Sequence, residues 1–357
     1  MNIFTPVTLG ALTLPNRVVM APLTRLRNGE DGVPAEILAE HYAQRAGLGL
    51  IVTEGTYPSH ESRSYIGQPG IVTEAQAAGW AKVAEAVHRA GGRIFMQIMN
   101  GGRTGHSKMS GVDRTIAPSA IAISGEVRVG AEKLPPQVPH ALTIEEVGVV
   151  RDEFVAAARR AIDAGFDGVE IHGANGYLVH QFLSPVSNVR EDRYGGSPQA
   201  RASFAVEVLR AVAAEIGAER VGIRLSPEHN IQDVLETNPE DVKATYHALL
   251  EGVSDLELAY LSVLHRDPAS ELVQGLRSSF GGAFMFNSGF STLTSREEAA
   301  GVLSDELADL IAVGRPVIAN PDLIERWEAG HPENEPNPAT FYGGGAEGYN
   351  DYPRLSA

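Results

Sequence analysis

The chain contains no cysteine among its 357 residues. Disulfide bonds, thiolate zinc sites, iron–sulfur clusters and thiol nucleophiles are therefore excluded. It also has no uninterrupted apolar run near the ~20 residues that a membrane span needs. Its first twenty residues lack the basic segment and apolar run of a signal peptide. We therefore expect a cytoplasmic protein with no membrane partner.

Basic residues are outnumbered, with 29 Lys and Arg against 45 Asp and Glu, for a net charge of −16. The sequence has no basic stripe that would neutralise phosphates, which argues against a nucleic-acid partner. An anionic ligand would have to be held by local arginines against the overall field. We expect a small-molecule substrate, and a monomer or a weak homodimer.

Eight short apolar segments recur along the chain, and a helical pattern follows each of them. Their continuous hydrophobicity is typical of parallel strands buried on both faces. The segments cover residues 17–21, 48–53, 93–98, 168–172, 220–225, 259–263, 283–287 and 310–313. Eight strands alternating with eight helices predict an α/β fold, a (β/α)8 TIM barrel, with residues 1–357 as one domain.

The alternative fold is a doubly wound open sheet, which needs a G-x-G-x-x-G turn after its first strand. "PLTRLRNGEDG" follows the first segment instead, and this favours the barrel. Residues 9–14 predict an N-terminal hairpin. Longer segments rich in Gly, Pro and Ser cover residues 100–142, 183–199 and 334–357. Because loops after strands build the functional face of a barrel, we expect the first two, after strands three and four, at that face.

The segment "HGANGYLVHQF" places three polar side chains where the fourth predicted strand ends: His172, Asn175 and Tyr177. An imidazole and a carboxamide can both donate to one acceptor oxygen, and a phenol can deliver a proton nearby. Each residue alone is more often structural, but the three together favour a catalytic site. No metal-ligand spacing accompanies His172, so no metal is expected. Glu170 is interpreted as an interior charge paired with Arg224 or with a lysine-like neighbour, and no functional role is assigned to it.

The loops after strands seven and eight, Asn287–Phe290 ("NSGF") and Gly314–Arg315, have features of a phosphate site. Phosphates in barrels often lie at these loops, where backbone N–H groups point at the anion. The glycines permit close approach of the backbone, and an arginine can bind phosphate through two hydrogen bonds. Single glycines often only make turns, but two such loops in these positions favour a bound phosphate.

Several long segments of low degeneracy carry a resemblance to a known family. They are "FTPVTLGALTLPNRVVMAPLTRLR", "VTEGTYPS", "HGANGYLVHQFLSPVSNVREDRYGGS", "VGRPVIANPDL" and "FYGGGAEGYNDYP". On these segments the chain resembles the Old Yellow Enzyme family of FMN-dependent ene-reductases over nearly its whole length. The bacterial N-ethylmaleimide reductase and nitrate-ester reductase branch is the most similar.

The resemblance implies a non-covalent FMN across the top of the barrel. The implied cofactor-binding residues are Pro22, Leu23, Thr24, Gly55, Gln97, Arg224, Asn287, Ser288, Gly289, Phe290, Gly314 and Arg315. The implied substrate-binding residues are His172, Asn175, Tyr65 and Tyr342, and Tyr177 is the implied proton donor. By the same resemblance, NADPH or NADH is the hydride source. Activated alkenes, namely α,β-unsaturated carbonyls, maleimides and nitroalkenes, then receive hydride from FMN at the β-carbon and a proton from Tyr177 at the α-carbon.

The chain departs from this branch after Gln97, where Met99 and Asn100 occupy positions that usually hold Trp and His. A flexible methionine predicts a roomier pocket on the substrate side. Two other functions remain open from the residues alone. A barrel hydrolase or aldolase would use the phosphate loops, but no catalytic lysine or metal cluster follows a strand. A non-catalytic flavoprotein would keep FMN without needing the three polar residues after strand four.

Overall fold

In a computed structural model, which describes residues 2–289 and 292–355, strands and helices alternate along the chain. The strands are β1 (Val7–Leu9), β2 (Leu12–Leu14), β3 (Val18–Met20), β4 (Leu50–Val52), β5 (Ile94–Ile98), β6 (Ile116–Ala117), β7 (Val127–Val129), β8 (Glu132–Leu134), β9 (His140–Ala141), β10 (Gly168–Gly173), β11 (Val221–Leu225), β12 (Tyr260–Leu264), β13 (Phe284–Asn287) and β14 (Leu310–Val313). The helices are α1 (Glu36–Ala43), α2 (Glu74–Arg89), α3 (Ser107–Ser110), α4 (Ile144–Asp163), α5 (Leu178–Leu183), α6 (Pro198–Ile216), α7 (Pro239–Glu251), α8 (Glu271–Phe280), α9 (Arg296–Ser304), α10 (Arg315–Ala319) and α11 (Leu323–Ala329).

Eight of the strands form a closed barrel in the order β10-β11-β12-β13-β14-β3-β4-β5, and every pairing in it is parallel. Each strand overlaps one of the eight apolar segments, so the predicted TIM barrel is confirmed. Because the strands are parallel, all their carboxyl ends lie at one rim, and the loops that follow them share that rim.

The apolar residues divide into an inner and an outer layer, because neighbouring residues of a strand point to opposite faces. Val18 and Met20 of β3 pack outward against the helices, whereas Val19 packs inside the barrel. The predicted N-terminal hairpin is also confirmed, as β1 and β2. Its Leu9 and Leu14 are fully buried in the inner layer. A buried leucine contributes about 1.5–3 kcal/mol, so the hairpin stabilises the barrel end opposite the site.

The helices begin where the sequence supplies N-caps. Thr73 and Thr143 each accept a hydrogen bond from the third residue of their helix in a capping box, and Ser197, Asn238, Ser270 and Ser295 cap four further helices. The short helices α3, α5 and α10 were not predicted, because fewer than seven residues show no helical period. Within residues 2–289 and 292–355, no helix is long and apolar enough to cross a membrane.

Candidate active site

Three polar side chains form a hydrogen-bonded row inside the barrel, below the rim. Glu170 lies in β10 opposite Gln97 of β5, and its Oε1 accepts from Gln97 Nε2 at 2.8 Å. Its Oε2 accepts from the Tyr260 hydroxyl at 3.0 Å. All three side chains are buried. The row places the Gln97 carboxamide at the floor of the space that the rim loops enclose.

Arg224 lies on the next strand, with His172 as its register partner. Its guanidinium donates from Nη1 to Ser262 Oγ at 3.2 Å and from Nη2 to Asn287 Oδ1 at 2.9 Å. These bonds go to neutral groups, and Arg224 interacts with Glu170 through the barrel interior by charge, while the oxygens of Glu170 accept from Gln97 and Tyr260. Arg224 Nε is buried without a hydrogen-bond partner among the described residues. A buried guanidinium N–H without a partner indicates a position where a ligand acceptor would be stabilised.

His172, near the end of β10, and Tyr177, just after it, place their rings on one wall, with Asn175 between them in the chain. The rings of His172 and Tyr177 lie 5.0 Å apart between centroids. Asn175 has a φ of +58°, which turns the chain sharply between them. Its backbone N–H donates to Ser226 Oγ at 2.8 Å, and its carbonyl accepts from Gln232 Nε2 at 2.9 Å. The left-handed backbone is thus held from both sides by the loop after β11.

Two buried polar atoms of this wall have no hydrogen-bond partner in the described part of the chain: His172 Nδ1 and Asn175 Oδ1. Burial lowers the pKa of His172 well below its usual range, and the charges of Arg224 and His180 lower it further. The imidazole is therefore neutral at pH 7, with one donor and one acceptor nitrogen. A neutral imidazole can donate one hydrogen bond to an uncharged oxygen acceptor, whereas Asn175 Oδ1 can only accept, so Asn175 would have to donate to such an oxygen from Nδ2.

The phenol of Tyr177 is bonded to a second phenol, because its hydroxyl oxygen lies 2.7 Å from that of Tyr65. Burial raises the pKa of Tyr177 well above its usual range, and Tyr65 raises it further, while Gln232 opposes the rise. Burial also raises the pKa of Tyr65. Both hydroxyls are therefore protonated at neutral pH. Tyr177 is almost fully buried and Tyr65 half-buried, so the pair runs from the cavity wall toward the surface.

The segments after β13 and β14 lie side by side at the rim, as expected for a phosphate site. Gly289 has a φ of +100°, and Ser288 Oγ lies 3.0 Å from Thr294 Oγ1. The Asn287 side chain is occupied at both ends, because it accepts from Arg224 and donates to Ala312 O at 2.7 Å. Each end of this carboxamide therefore already makes one hydrogen bond within the protein, which fixes its orientation. Phe290 lies outside the described residues.

The loop after β14 contacts the loop after β3 at the same rim. A Cβ added to Gly314 would lie 3.6 Å from Leu23 Cδ2, and the neighbouring Arg315 is exposed. Pro22, Leu23 and Thr24 are all half-buried at this point. Residues that the resemblance assigns to the flavin ring and residues that it assigns to the phosphate therefore lie next to each other at this rim.

Gly55, which follows β4, and Met99, which follows β5, lie in contact with each other. A Cβ at Gly55 would lie 2.7 Å from Met99 Sδ and 3.3 Å from Gln97 Oε1. Only glycine is accommodated there without displacing a neighbour. Met99 is almost fully buried, and its backbone N–H donates to Thr56 O at 2.9 Å. Asn100 Oδ1 accepts from the Gly102 N–H at 3.0 Å, so this residue shapes the loop after β5.

The segment of residues 340–349, here called the C-terminal strap, reaches the same rim. Arg25 Nε donates to Phe341 O at 2.9 Å, and Arg27 Nη2 donates to Thr340 O at 2.7 Å. Tyr342 lies on this strap with two-thirds of its surface exposed, yet close enough to influence the pKa of both Tyr65 and Tyr177. The two arginines therefore hold the C-terminal strap beside the loop that follows β3.

The loop of residues 226–236, which positions Gln232, was not predicted from the sequence. Glu228, Asn230, Gln232 and Asp233 all have φ between +48° and +60°. Asn and Asp tolerate a left-handed backbone, so "HNIQD" indicates this conformation only weakly. Glycine, the residue that usually indicates it, is absent from this segment. Arg103 holds the loop by donating to Gln232 O at 3.2 Å and to Asp233 O at 2.9 Å.

Comparisons with known proteins show the family to which the chain is similar. The profile of the NADH:flavin oxidoreductase / NADH oxidase family matches residues 2–334. The chain is 42% identical to a probable flavin mononucleotide-dependent alkene reductase of Leishmania infantum, over 98% of this chain and 96% of that one. It is 39% identical to 12-oxophytodienoate reductase 1 of Oryza sativa subsp. japonica, over 99% and 93% of the two chains.

Two solved structures have nearly the same backbone. An old yellow enzyme homologue from Zymomonas mobilis has a TM-score of 0.94 at 38% identity, over 99% of this chain and all of that one. Morphinone reductase in complex with tetrahydroNAD has a TM-score of 0.92 at 42% identity, over 100% of this chain and 98% of that one. Both similarities extend over the barrel and its rim loops.

Proposed function

The chain belongs to the NADH:flavin oxidoreductase / NADH oxidase family and is an FMN-dependent oxidoreductase of the Old Yellow Enzyme type; on this premise we propose how its own residues reduce activated alkenes. The proposed substrates are α,β-unsaturated carbonyls, maleimides and nitroalkenes, with NADPH or NADH as the reductant. The observation that carries the proposal is the contact between the rings of His172 and Tyr177, with Arg224 and Gln97 on the two strands that flank β10.

The residues at the rim fit FMN by the chemistry of their groups. An isoalloxazine ring edge carries carbonyl oxygens and an imide N–H, which call for donors and an acceptor respectively. Arg224 Nε is a buried donor without a partner among the described residues, and Gln97 Oε1 is an acceptor at the floor. In this proposal the phosphate is held by backbone N–H groups of Ser288, Gly289 and Gly314, with Arg315 as the cation. The whole site belongs to one barrel domain of residues 1–357.

Bound FMN would accept a hydride from the nicotinamide and supply it to the β-carbon of the alkene. In our proposal the protein does the rest. His172 and Asn175 donate to the activating oxygen of the substrate, which draws electron density from the double bond. Both groups are neutral and positioned before the substrate arrives, so the developing negative charge meets donors that need little reorganisation.

Tyr177 holds the proton for the α-carbon in this mechanism. Its raised pKa keeps the phenol protonated until a strongly basic carbon develops beside it. The atoms balance, because one hydride from NAD(P)H and one proton from Tyr177 saturate the double bond. Tyr177 then recovers its proton from solvent, for which the Tyr65 hydroxyl provides a contact at 2.7 Å.

The purified protein tests the proposal by its absorbance. We expect a yellow preparation, or a colourless one that turns yellow with added FMN, whose visible band NADPH bleaches under anaerobic conditions. Addition of 2-cyclohexenone should restore the band and yield cyclohexanone. Failure to bind FMN at all would contradict the proposal. A band that NADPH bleaches and no activated alkene restores would instead indicate a flavoprotein without alkene reductase activity.

A further inference from the structure

Glu170 is a fully buried carboxylate that the proposed function leaves without a role. It lies in the middle of β10, and each of its oxygens accepts one hydrogen bond: Oε1 from Gln97 at 2.8 Å and Oε2 from Tyr260 at 3.0 Å. A charge taken out of water is costly, and such groups occur chiefly where they are paired or hydrogen-bonded. The structure gives this carboxylate two donors, so its role must be sought in what it does to them.

The first consequence concerns the orientation of Gln97. A carboxamide has nearly the same shape in both orientations, and only hydrogen bonding decides which end points where. Both oxygens of Glu170 accept hydrogen bonds, so Glu170 holds the Nε2 end of Gln97 toward itself. The carbonyl end, Oε1, then faces Gly55 and the rim. A ligand above the floor therefore meets an acceptor at this point, which suits an imide N–H.

The second consequence concerns the charge of Arg224. Its guanidinium is buried and bonds to two neutral groups, Ser262 and Asn287. Glu170 is on the neighbouring strand, and the two side chains interact through the barrel interior, each opposing the effect of burial on the other. Charges interact strongly over several ångströms in a poorly screened interior. Glu170 therefore offsets part of the positive field that Arg224 would otherwise direct at the rim.

We propose that Glu170 is a positioning residue that orients the Gln97 amide as an acceptor and offsets the charge of Arg224 beneath the flavin ring edge. The inference rests on the proposed function, because it concerns the binding and reduction of FMN. A merely structural carboxylate would stabilise the barrel without changing the redox properties of the bound cofactor. The proposal therefore predicts effects on two measurements other than turnover: the midpoint potential and the affinity for FMN.

Glu170→Gln tests the offset of charge. The variant keeps the size of the side chain and an oxygen that can accept from Gln97, but it removes the negative charge. Arg224 then acts unopposed on the negative charge that reduction adds to the ring. We expect reduced FMN to be bound about tenfold more tightly relative to oxidised FMN, a positive shift of about 30 mV for this two-electron couple. Dye-coupled reductive titration of the holoenzyme measures it.

Two further variants separate the actions of Glu170. Tyr260→Phe is the matched control, because it alters the same carboxylate but keeps both its charge and its bond to Gln97. Its potential and its affinity for FMN should stay near those of the wild type. Glu170→Asp keeps the charge but shortens the side chain, which releases the Gln97 amide. It should bind FMN several-fold more weakly in reconstitution of the apoprotein, at a nearly unchanged potential.

An unchanged potential in a folded Glu170→Gln variant would overturn the offset of charge. Should that variant fail to fold, Glu170→Asp still decides, since wild-type affinity for FMN in Glu170→Asp would overturn the orienting role. A shift in Tyr260→Phe as large as that in Glu170→Gln would also overturn the proposal, because charge would not be the cause. These failures are distinct from failure of the proposed function, in which the wild-type protein itself does not bind FMN.

Discussion

The phenol oxygens of Tyr65 and Tyr177 lie 2.7 Å apart, a distance at which one hydroxyl donates to the other. This contact joins a proton-donor candidate on the cavity wall to a residue that is more exposed. Tyr177 lies beside His172, and Tyr65 lies on the other side of Tyr177, nearer the surface. Separate experiments can test each member of that arrangement.

Tyr177→Phe should slow the reoxidation of the reduced enzyme by cyclohexenone by about 10²–10⁴-fold, the usual contribution of a positioned general acid. Reduction of the same variant by NADPH should proceed almost as in the wild type, because no proton from Tyr177 is needed there. Anaerobic stopped-flow measurement of the two half-reactions separates them. Equal losses in both would show that Tyr177 shapes the site rather than donating the proton.

Tyr65→Phe should slow the same reoxidation about twofold to tenfold, because Tyr177 loses a hydrogen-bond partner worth roughly 0.5–1.5 kcal/mol. If Tyr65 acts through Tyr177, the double variant should be no slower than Tyr177→Phe alone. Residues that share one interaction are non-additive in such a cycle. Rate losses that multiply would mean that Tyr65 contacts the substrate independently.

His172→Ala should weaken the binding of a phenol to the oxidised enzyme by about tenfold to a hundredfold, as expected for a hydrogen bond to a charged or strongly polar oxygen. The FMN content should be unchanged, because Arg224 and Gln97 remain. Titration followed by the change in the flavin spectrum measures the affinity. The exposed His331→Ala is the matched control. Phenol affinity equal to that of the wild type would remove His172 from the oxygen site.

Glu54→Gln should change how stability depends on pH. Burial raises the pKa of Glu54 to about 7 from 4.5, although hydrogen bonds from the Arg25 and Leu26 N–H groups oppose the rise. Between pH 4.5 and 7 the folded chain therefore binds more protons here than the unfolded chain does. The contribution of Glu54 to stability is then greatest at low pH and is lost as the pH rises through about 7.

Relative to the wild type, Glu54→Gln should gain about 3 kcal/mol of stability between pH 4.5 and 7.5, because the glutamine never ionises. Thermal unfolding at a series of pH values measures the difference in Tm. Glu126→Gln, which removes the same charge from an exposed hairpin position, should show no such trend. A constant difference between Glu54→Gln and the wild type at all pH values would contradict the raised pKa.

The strands and the positions after them were predictable, because both follow from local composition. A barrel strand is an unbroken apolar run, and its last residue marks the rim whatever the loops do. The positions of His172, Arg224 and Asn287 at the rim were therefore predictable from the ends of the apolar segments alone. Loop conformation was not predictable in this way. Gln232 has a left-handed backbone that nothing in its residue type signals, and it is held there by Arg103, more than a hundred residues earlier.

The amino-acid sequence by itself determined the barrel, its family and the residues at the strand ends, since hydrophobic period and contiguous motifs are properties of neighbouring residues. Only the tertiary structure decided which of these residues touch. The hydroxyl of Tyr65 bonds to that of Tyr177, Glu170 accepts from the Gln97 amide, and Arg25 holds the C-terminal strap beside the loop after β3. These contacts join distant parts of the chain. They depend on hydrogen-bond geometry and on burial in the closed barrel, which local sequence does not determine.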